Sequence, residues 1–494
     1  MAKIFTLEEV QRHNNEASCW VIVKNKVYDL TDFLGDHPGG VEAILKYAGN
    51  DGTTEYIETH AEGTIEKPRA TVKCLGEIAV ASSPTKLVTS AERSHGLDPA
   101  TVSVCVSIDD IERAARKTVS PRAWAYFHSA AASLGALRNN QEDWRKVSLR
   151  PRVLRDVRAM DMSCVILGQQ SRLPFFIAPA ARAGIVNQDG ERCLVRGAVS
   201  RGIPYCVSNY TSVAHDDLVA CYNEDTSRLG ENRGSLFFQL YPAKEKAKSQ
   251  SIIKMAGELG FKALVITVDA PVIGKREEDE RLKMEMEIKS GAPVVTFRNF
   301  DEADSANPPI PRAHHSSSLS WDDLGWIREA WGANTGPLVL KGIQTVEDAA
   351  LAMDAGFTAI YLSNHGGRQC DDAPSSIQTL MEIRIHRPDI LDHVEIYLDG
   401  WVRRGADIVK ALCLGASGVG IGRPLMYGLG AYGTAGVEKV IDILADEIDT
   451  TLRLIGVTNV RDLDTSYVNT TLLENQLLRA TLPSARQTSR SSKL

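Results

Sequence analysis

Residues 395–424 read EIYLDGWVRRGADIVKALCLGASGVGIGRP, and this stretch contains two short apolar runs separated by one helical segment. The runs EIYLDG and GVGIGRP lack the polar alternation of a half-exposed strand, which is typical of parallel strands buried on both faces. A helix between two such strands supplies the crossover connection that parallel pairing needs. The stretch therefore predicts one strand-helix-strand unit of a parallel sheet.

Six further runs of the same type precede this unit. They are LPFFIAP (173–179), IPYCVS (203–208), LFFQLY (236–241), ALVITVD (263–269), PLVLKG (337–342) and AIYLSNHG (359–366). Eight strand-helix units over about 250 residues predict an α/β fold, a (β/α)₈ TIM barrel. The spacing between the fourth and fifth runs is much longer, which predicts a long loop or lid over the mouth of the barrel.

Composition limits the class of protein. The 494 residues are 43% hydrophobic and 24% charged with a net charge of −7, which predicts a globular chain of two to three domains. No basic stripe indicates nucleic-acid binding, and no run of 18 apolar residues predicts a membrane span. The nine cysteines include no CxxC pair, which favours free thiols in a reducing compartment.

The charge distribution and a polar segment place the domain boundaries. Residues 1–80 hold eight Lys and Arg against thirteen Asp and Glu, which indicates a separate acidic module. We expect a linker at 81–103, the barrel domain at 104–475 and a flexible tail at 476–494. The tail ends in Ser492-Lys493-Leu494, a peroxisomal address when it stands at a C-terminus, against the alternative of an inert tail.

Two histidines in the acidic module form the first candidate site. His37 stands in DHPGG, where the proline and the paired glycines set a sharp turn, and His60 follows 23 residues later. Two facing histidines can supply both axial ligands of a haem, which favours electron transfer because no position stays open for substrate. Taken alone, each histidine could also be a surface or capping residue.

The segment WVIVKNKVYDLTDFLGDHPGG (20–40), followed by a second histidine at this distance, resembles the cytochrome b5 haem-binding domain over residues 3–80. The resemblance implies a small α+β domain that holds haem b, with His37 and His60 as the axial ligands. An acidic surface on such a domain suits docking to a basic patch on a partner or on another part of this chain.

Polar residues at the strand ends of the predicted barrel form the second candidate site, because catalysis in this fold occurs at the C-terminal ends of the strands. Glycines and arginines after the seventh and eighth strands favour a phosphate-anchored cofactor. A histidine can act as a base beside an aspartate, and an arginine can bind a carboxylate, which together indicate redox chemistry on a small anion. Each residue alone could instead cap a helix or face solvent.

The SNHGGRQ segment (363–369) and the stretch 399–424 resemble the FMN-dependent α-hydroxy acid dehydrogenases and oxidases, over about residues 104–470. With the haem module in front, the whole chain is similar to the flavocytochrome b2 group of that family. By this resemblance the catalytic residues are His365 as base, Asp269 orienting it, Tyr126 and Arg368 on the substrate carboxylate, Tyr241 on its hydroxyl, Arg276 adding positive charge, and Lys341 facing the flavin.

The same resemblance implies the cofactor contacts. Residues near the FMN ring and ribityl chain are Ala180, Ser208, Gln239 and Thr267, and those at the ribityl and phosphate end are Asp399, Arg403, Gly422 and Arg423. Lys341 belongs to both the catalytic and the cofactor-binding sets. The resemblance leaves open whether the substrate α-hydrogen leaves as a hydride or as a proton.

Several residues depart from the family pattern. Trp401 stands where the family has a second glycine, which costs energy if the turn needs a positive φ and puts FMN affinity in question. Ala130 and Ala180 are smaller changes. Tyr210 lies where the family shapes the substrate side-chain pocket, with a smaller aliphatic residue in lactate enzymes and an aromatic one in glycolate enzymes, and Arg182 is atypical.

The expected activity is oxidation of a lactate-like L-2-hydroxy acid to the 2-oxo acid at FMN, with electrons passing to haem b and then to an acceptor such as cytochrome c. The alternatives are a peroxisomal oxidase that uses O₂, and a haem electron carrier whose barrel is not catalytic. The address at the C-terminus predicts the peroxisome, against the cytoplasm or the mitochondrial intermembrane space. A homotetramer is implied only by the resemblance.

Overall fold

The fold is described here from a computed structural model of the chain. The residues it describes are 3–37, 41–53, 55–56, 60, 64–66, 70–79, 99–230, 234–290, 316–332 and 335–477. The predicted linker lies outside the described residues up to position 98, and the predicted tail does so beyond 477. Pro38, Gly39 and Gly40 of the DHPGG turn also lie outside them.

The N-terminal module is a mixed five-stranded sheet with short helices, which confirms the predicted small α+β fold. Its strands are β1 (Ile4–Phe5), β2 (Asn14–Asn15), β3 (Ser18–Val23), β4 (Lys26–Asp29) and β5 (Lys73–Ile78), in the order β1-β5-β4-β3-β2. Its described helices are α1 (Leu7–Gln11) and α2 (Val41–Leu45). Thr6 and Glu9 form a capping box that starts α1, because each side chain satisfies a backbone N–H of the first turn.

The core of this module lies on the side of the sheet that faces the histidine segments. Buried side chains include Val21, Tyr28, Leu34 and Ile44, and partly buried Tyr56 packs against them. Since Tyr56 precedes His60 by one helical turn, the module's core fixes the segment that carries one of the two predicted haem ligands.

The second region contains a closed barrel of eight parallel strands, which confirms the predicted (β/α)₈ fold. The barrel strands are β9 (Phe175–Ile177), β10 (Tyr205–Val207), β11 (Leu236–Leu240), β12 (Leu264–Thr267), β13 (Leu338–Ile343), β14 (Ala359–Leu362), β15 (Glu395–Leu398) and β16 (Gly418–Ile421). The ring closes where β16 pairs with β9, with Ile421 opposite Ile177. Seven of the eight apolar runs in the sequence contain one of these strands in full, and the run at 337–342 contains all of β13 but Ile343.

Helices surround the barrel and precede it. They are α3 (Ile108–Thr118), α4 (Pro121–His128), α5 (Gly135–Glu142), α6 (Glu191–Arg201), α7 (His215–Leu229), α8 (Lys246–Glu258), α9 (Glu277–Ser290), α10 (Leu324–Trp331), α11 (Val346–Asp354), α12 (Ser376–His386), α13 (Asp389–His393), α14 (Gly405–Cys413), α15 (Arg423–Tyr432), α16 (Thr434–Ile455) and α17 (Thr471–Glu474). Minor strands are β6 (Ser148–Leu149), the hairpin β7 (Cys164–Ile166) with β8 (Gln169–Ser171), and β17 (Val468–Asn469).

Large side chains fill the barrel interior below the strand ends. Phe176 contacts Tyr361 and Tyr397 edge to face, and Ile166 of the β7–β8 hairpin packs in the same cluster. The interior is therefore a packed core, which leaves the C-terminal strand ends as the place for chemistry.

The long segment between β12 and β13 begins with helix α9, and residues 291–315 of it lie outside the described part of the chain. The prediction that this segment forms a lid therefore stays a prediction. Among the described helices, none combines the length and apolar character needed to cross a membrane.

Candidate active site

The two histidines of the N-terminal module face each other. The centroids of the His37 and His60 rings lie 5.9 Å apart with the ring planes tilted by 36°, and Phe33 and Tyr56 flank the pair. Nδ1 of His60 lies 3.3 Å from the carbonyl oxygen of Tyr56, which assigns Nδ1 as the donor and leaves Nε2 as the ligand nitrogen. Burial, and the nearby charge of His37, lower the pKa of His60 to about 4.

These residues fit haem b. A neutral imidazole is the form that binds a metal, and the environment of His60 keeps that ring neutral. His37 and His60 would hold the haem iron, since their rings face each other, and the group would supply electron-transfer chemistry.

The strand ends of the barrel bring together three residues that were predicted to act on the substrate. Nδ1 of His365 lies 3.1 Å from Oδ2 of Asp269 and 3.2 Å from the hydroxyl of Tyr241, which donates to Oδ1 of Asp269 at 3.0 Å. The Asp269 side chain has no exposed area, whereas that of His365 is 27% exposed. Asp269 therefore holds Nδ1, and Nε2 of His365 is the nitrogen left for a substrate.

The charges around this group favour a neutral base beside an ionised acid. Burial opposes ionisation of Asp269, but the hydrogen bond from His365 and the positive charge of Lys341 outweigh it and lower its pKa. Burial lowers the pKa of His365 below 6.5, against the opposite effect of Asp269. Burial and Asp269 together raise the pKa of Tyr241 well above 10, so this phenol keeps its proton. His365 can then accept a proton at neutral pH.

His365 follows β14 in a left-handed backbone conformation with a φ of 57°, and Gly366 and Gly367 continue it with φ values of 64° and 77°. A Cβ on Gly367 would stand 2.7 Å from the backbone nitrogen of Leu137, so only glycine fits there. The paired glycines of SNHGGRQ thus let the chain turn under α5 and present His365 at the barrel mouth.

Three partly buried arginines, Arg276, Arg368 and Arg423, lie next to this group. Nη1 of Arg368 donates to the carbonyl oxygen of Tyr126 at 2.6 Å, and its guanidinium lies 5.2 Å from the centre of the Tyr126 ring. Burial, with the charges of Arg276 and Arg423, lowers the pKa of Arg368 well below its usual value. Nε of Arg276 is buried without a hydrogen-bond partner among the described residues. The cluster has excess positive charge and an unmet donor, which suits a carboxylate.

Lys341 is buried on β13 between two acids. Its Nζ lies 3.3 Å from Oδ2 of Asp269, 3.6 Å from Oδ2 of Asp399 and 2.8 Å from the hydroxyl of Ser363. Burial opposes its charge, but Asp399 and Asp269 outweigh burial and raise the pKa of Lys341. Lys341 is therefore a fixed cation, consistent with a position against an electron-rich flavin edge.

The predicted contacts to the flavin ring line one side of the barrel mouth. The Gln239 side chain links Ser208 to Thr267. The Ser208 hydroxyl donates to Oε1 of Gln239 at 3.3 Å, and Nε2 of Gln239 donates to the Thr267 hydroxyl at 3.0 Å. Ala180 is half-buried three residues after Ile177, the last residue of β9. Three adjacent strands thus present a continuous row of polar groups.

The predicted phosphate end contains Trp401, Arg403 and Gly422. Trp401 adopts a φ of 55°, which shows that the turn does require the conformation that glycine favours. Its ring lies 5.1 Å from the Arg403 guanidinium, and Nη2 of Arg403 donates to Asp109 at 2.7 Å and to Glu112. Arg423 instead donates to the carbonyl oxygens of Phe127, Gly366 and Ser129 at 2.9 to 3.0 Å.

These residues fit FMN. Nε and Nη1 of Arg403 are buried without partners among the described residues, and a Cβ on Gly422 would meet no atom within 4 Å. Unmet donors next to open space at the N-terminus of α15 are what a phosphate group needs. Asp399, Arg403, Gly422 and Arg423 would hold the phosphate and ribityl end, and the Ser208, Gln239 and Thr267 row would hold the ring.

Two residues that support the site were not predicted from the sequence. The hydroxyl of Ser363 donates to Oδ1 of Asp399 at 2.7 Å and accepts from Lys341 and from the backbone of His365. Nε2 of Gln369 donates to the carbonyl oxygens of Asp269 and Val272 at 3.0 Å. Both lie inside the SNHGGRQ motif, so their position in the motif was the available signal.

Two of the atypical residues lie next to each other. The backbone nitrogen of Arg182 donates to the carbonyl oxygen of Tyr210 at 3.1 Å, and the Tyr210 ring stacks 6.3 Å from that of Tyr241. Tyr210 therefore lies beside the catalytic group, as its predicted role in the substrate side-chain pocket requires. Ala130 is buried in the loop after α4.

Comparisons with known proteins agree with this arrangement. Residues 115–470 match the FMN-dependent dehydrogenase family, and residues 6–79 match the cytochrome b5-like haem/steroid-binding domain. A cytochrome-type L-lactate dehydrogenase of Wickerhamomyces anomalus is 35% identical over 480 residues, which are 95% of this chain and 81% of that protein. A peroxisomal (S)-2-hydroxyacid oxidase of Arabidopsis thaliana is 33% identical over 378 residues, 76% of this chain and 99% of the oxidase.

A solved structure of a flavocytochrome b2 variant with pyruvate bound has a TM-score of 0.67 and 30% identity, and the match covers 80% of this chain and 93% of that one. The chain belongs to the FMN-dependent dehydrogenase family. It is a flavocytochrome b2-like 2-hydroxy acid oxidoreductase with a haem-binding module in front of the flavin domain, as the sequence predicted.

Proposed function

We propose that this protein oxidises a small L-2-hydroxy acid of the lactate class to the 2-oxo acid and delivers the electrons through its haem module to an external acceptor such as cytochrome c. The observation that carries the proposal is the contact of His365, Asp269 and Tyr241 next to the partly buried Arg276 and Arg368. A neutral base beside an anion-binding cluster is what this oxidation needs.

The arginine cluster binds and orients the substrate carboxylate. Arg368 is held in place by the carbonyl oxygens of Tyr126 and Ser129, so it is already positioned before a ligand arrives. The unmet Nε of Arg276 lies in the same cluster and adds a second donor. A carboxylate bound there relieves the repulsion between these cations, and its attached hydroxyl carbon then faces His365.

His365 removes a proton from the bound substrate at Nε2. Asp269 keeps Nδ1 protonated, fixes the ring orientation and stabilises the imidazolium that forms. Tyr241 keeps its own proton and positions the substrate hydroxyl. Oxidation to the 2-oxo acid releases two electrons and two protons, and FMN, when bound, supplies the chemistry of accepting the electron pair and releasing single electrons.

The haem module accounts for the choice of acceptor. Haem b held by two histidines has no open coordination position, so its chemistry is electron transfer. The cytochrome-type L-lactate dehydrogenase relative, which matches over both domains, supports cytochrome c as the external acceptor. Lactate is supported by the same relative.

A second candidate is oxidation with O₂ as acceptor. Tyr210, an aromatic residue beside Tyr241, and the similarity of the barrel to the peroxisomal oxidase favour it. The two candidates differ in one measurement: an oxygen-electrode assay beside a cytochrome c reduction assay, with the same substrate and enzyme. A third candidate, a haem carrier with a non-catalytic barrel, predicts that no 2-hydroxy acid bleaches the flavin.

The decisive experiment is a substrate panel of L-lactate, glycolate and longer 2-hydroxy acids, followed by flavin absorbance and then by haem absorbance in stopped flow. We expect flavin bleaching first, followed by haem reduction, with L-lactate among the fastest substrates. Absence of flavin bleaching with every acid would contradict the proposal.

We also propose peroxisomal delivery through Ser492-Lys493-Leu494. Expression of the tagged full chain with and without these three residues tests it. Peroxisomal signal that is independent of the tripeptide, or no peroxisomal signal at all, would contradict it.

A further inference from the structure

One ion pair joins the haem-binding module to the barrel region. Nη2 of Arg122 lies 3.1 and 2.9 Å from the two carboxylate oxygens of Glu55, across 67 positions of sequence. The two side chains are only 26% and 28% exposed, so water screens them less than it screens a surface pair. The hydroxyl of Tyr47 donates to Oε2 of Glu55 at 3.2 Å, so the module itself also orients this carboxylate.

Glu55 lies in the segment that carries the predicted haem ligand His60, and Arg122 lies in the helix that carries the predicted substrate-binding residue Tyr126. Glu55 lies five positions before His60. In this segment the backbone N–H of Tyr56 donates to the carbonyl oxygen of Gly52, and that of His60 donates to the carbonyl oxygen of Tyr56, each at 2.9 Å. Arg122 is the second residue of α4, which Ser120 caps and Pro121 starts. Tyr126 follows Arg122 by one helical turn, so both side chains lie on the same face of α4.

A second cation of the barrel acts on the same carboxylate. Burial opposes ionisation of Glu55, but the charges of Arg122 and Arg182 outweigh it and lower the pKa of Glu55. Arg182 lies beside Tyr210 at the barrel mouth. The acidic module therefore presents a carboxylate to Arg122 at the substrate side of the barrel, and this charge complementarity favours the contact.

We propose that the Glu55–Arg122 pair is a docking contact that positions the His60 segment of the haem module against helix α4, at the substrate side of the barrel. Glu55 and Arg122 are positioning residues, because the ion pair between them acts through the segment and the helix that carry them. A test of this contact by the rate of haem reduction rests on the proposed function, whereas a test by hydrogen exchange does not.

A charge-reversal cycle in the full-length protein with both cofactors tests this contact. Glu55→Arg and Arg122→Glu each place like charges opposite one another, and the double variant restores an opposite pair with the order reversed. Two quantities are followed: the rate of haem reduction after substrate has bleached the flavin, and hydrogen exchange of peptides spanning residues 52–60 and 121–128.

We expect each single variant to slow haem reduction by about tenfold or more and to raise hydrogen exchange in both peptides, with flavin bleaching by substrate changed less than about twofold. The double variant should recover haem reduction to within about threefold of the unmodified protein and restore the protection. Glu55→Gln, which only removes the charge, gives a smaller effect of the same sign and guards against misfolding of the reversed variants.

The Arg192–Asp217 pair is the matched control, because its atoms lie 3.1 Å apart and each side chain is 29% exposed, but both residues belong to the outer helices of the barrel. Its reversal should leave haem reduction unchanged. Single Glu55 and Arg122 variants that keep both the rate and the protection would overturn the docking contact, as would singles that the double variant fails to rescue. If no substrate bleaches the flavin, the proposed function fails, and hydrogen exchange alone still decides the contact.

Discussion

Nδ1 of His365 lies 3.1 Å from Oδ2 of Asp269, and this contact acts on the charge of the histidine that we propose as the base. Burial lowers the pKa of His365, whereas Asp269 raises it. Asp269→Asn should therefore lower the pKa of His365 further. Because the base works when it is neutral, the acid limb of the pH profile of kcat/KM should move to lower pH, while the plateau falls about 10- to 100-fold.

The matched control for this shift is Asp269→Glu, which keeps the negative charge and should leave the acid limb near that of the unmodified enzyme. An acid limb that moves to higher pH in Asp269→Asn would contradict the assignment of His365 as the base.

His365→Ala should remove the base while leaving the haem module unaffected. We expect flavin bleaching by substrate to slow by at least about 100-fold with unchanged haem absorbance, measured in stopped flow. His393→Ala is the control, since His393 is exposed at the end of helix α13 and its Nδ1 lies 2.8 Å from the carbonyl oxygen of Asp389. Turnover that survives in His365→Ala would remove this residue from its role.

His37→Ala should have the opposite effect. Loss of one axial ligand should abolish the low-spin haem spectrum and cytochrome c reduction, and spare flavin bleaching by substrate. His13→Ala, in the same module, is the control, because His13 stacks on Trp20 and hydrogen-bonds Ser18 away from the facing pair. A normal haem spectrum in His37→Ala would contradict the assignment of this ligand.

Glu112→Gln should strengthen FMN binding. Glu112 and Asp109 both accept from Nη2 of Arg403, so they compete with a phosphate for this guanidinium. Removing one negative charge should tighten FMN binding by about three- to tenfold, measured by fluorescence titration of the flavin-free protein. Riboflavin, which lacks the phosphate, is the matched ligand and should bind equally to both proteins. Equal tightening of both flavins would place the phosphate elsewhere.

Trp401→Gly should also tighten FMN binding, because Trp401 is held at a φ of 55° and its ring lies against Arg403. Glycine removes strain of about 1 kcal/mol, which should raise the free energy of unfolding, and also removes the ring. Trp401→Leu separates the two effects, since it keeps the strain and loses the ring. Weaker FMN binding in Trp401→Gly would mean that the indole ring supports the cofactor site.

The barrel and the haem module could be predicted from the sequence because their signals are local. Eight apolar runs without polar alternation give the strands, and the DHPGG turn with its second histidine gives the haem module. Strand ends also predicted that Asp269, Lys341 and His365 lie together, since parallel strands bring their C-terminal ends to one edge, whereas the roles of these residues were predicted from the family resemblance.

Contacts between distant segments could not be predicted in this way. Arg403 follows a strand end, but its pairing with Asp109 and Glu112 depends on where α3 packs. The Glu55–Arg122 pair depends on the relative placement of two domains, for which neither residue carries a local signal. The positive φ of Trp401 was predictable only as a requirement of the turn.

The clustering of Arg276, Arg368 and Arg423 has a consequence for the evolution of this chain. Like charges buried together lower the stability of the ligand-free fold, and a bound hydroxy acid compensates for it. Replacing one of them by a neutral residue of similar volume should raise the free energy of unfolding of the ligand-free protein and lower its activity. Selection for thermostability without substrate would therefore favour substitution of these arginines. The arginine cluster is in this sense a case of the stability–activity trade-off.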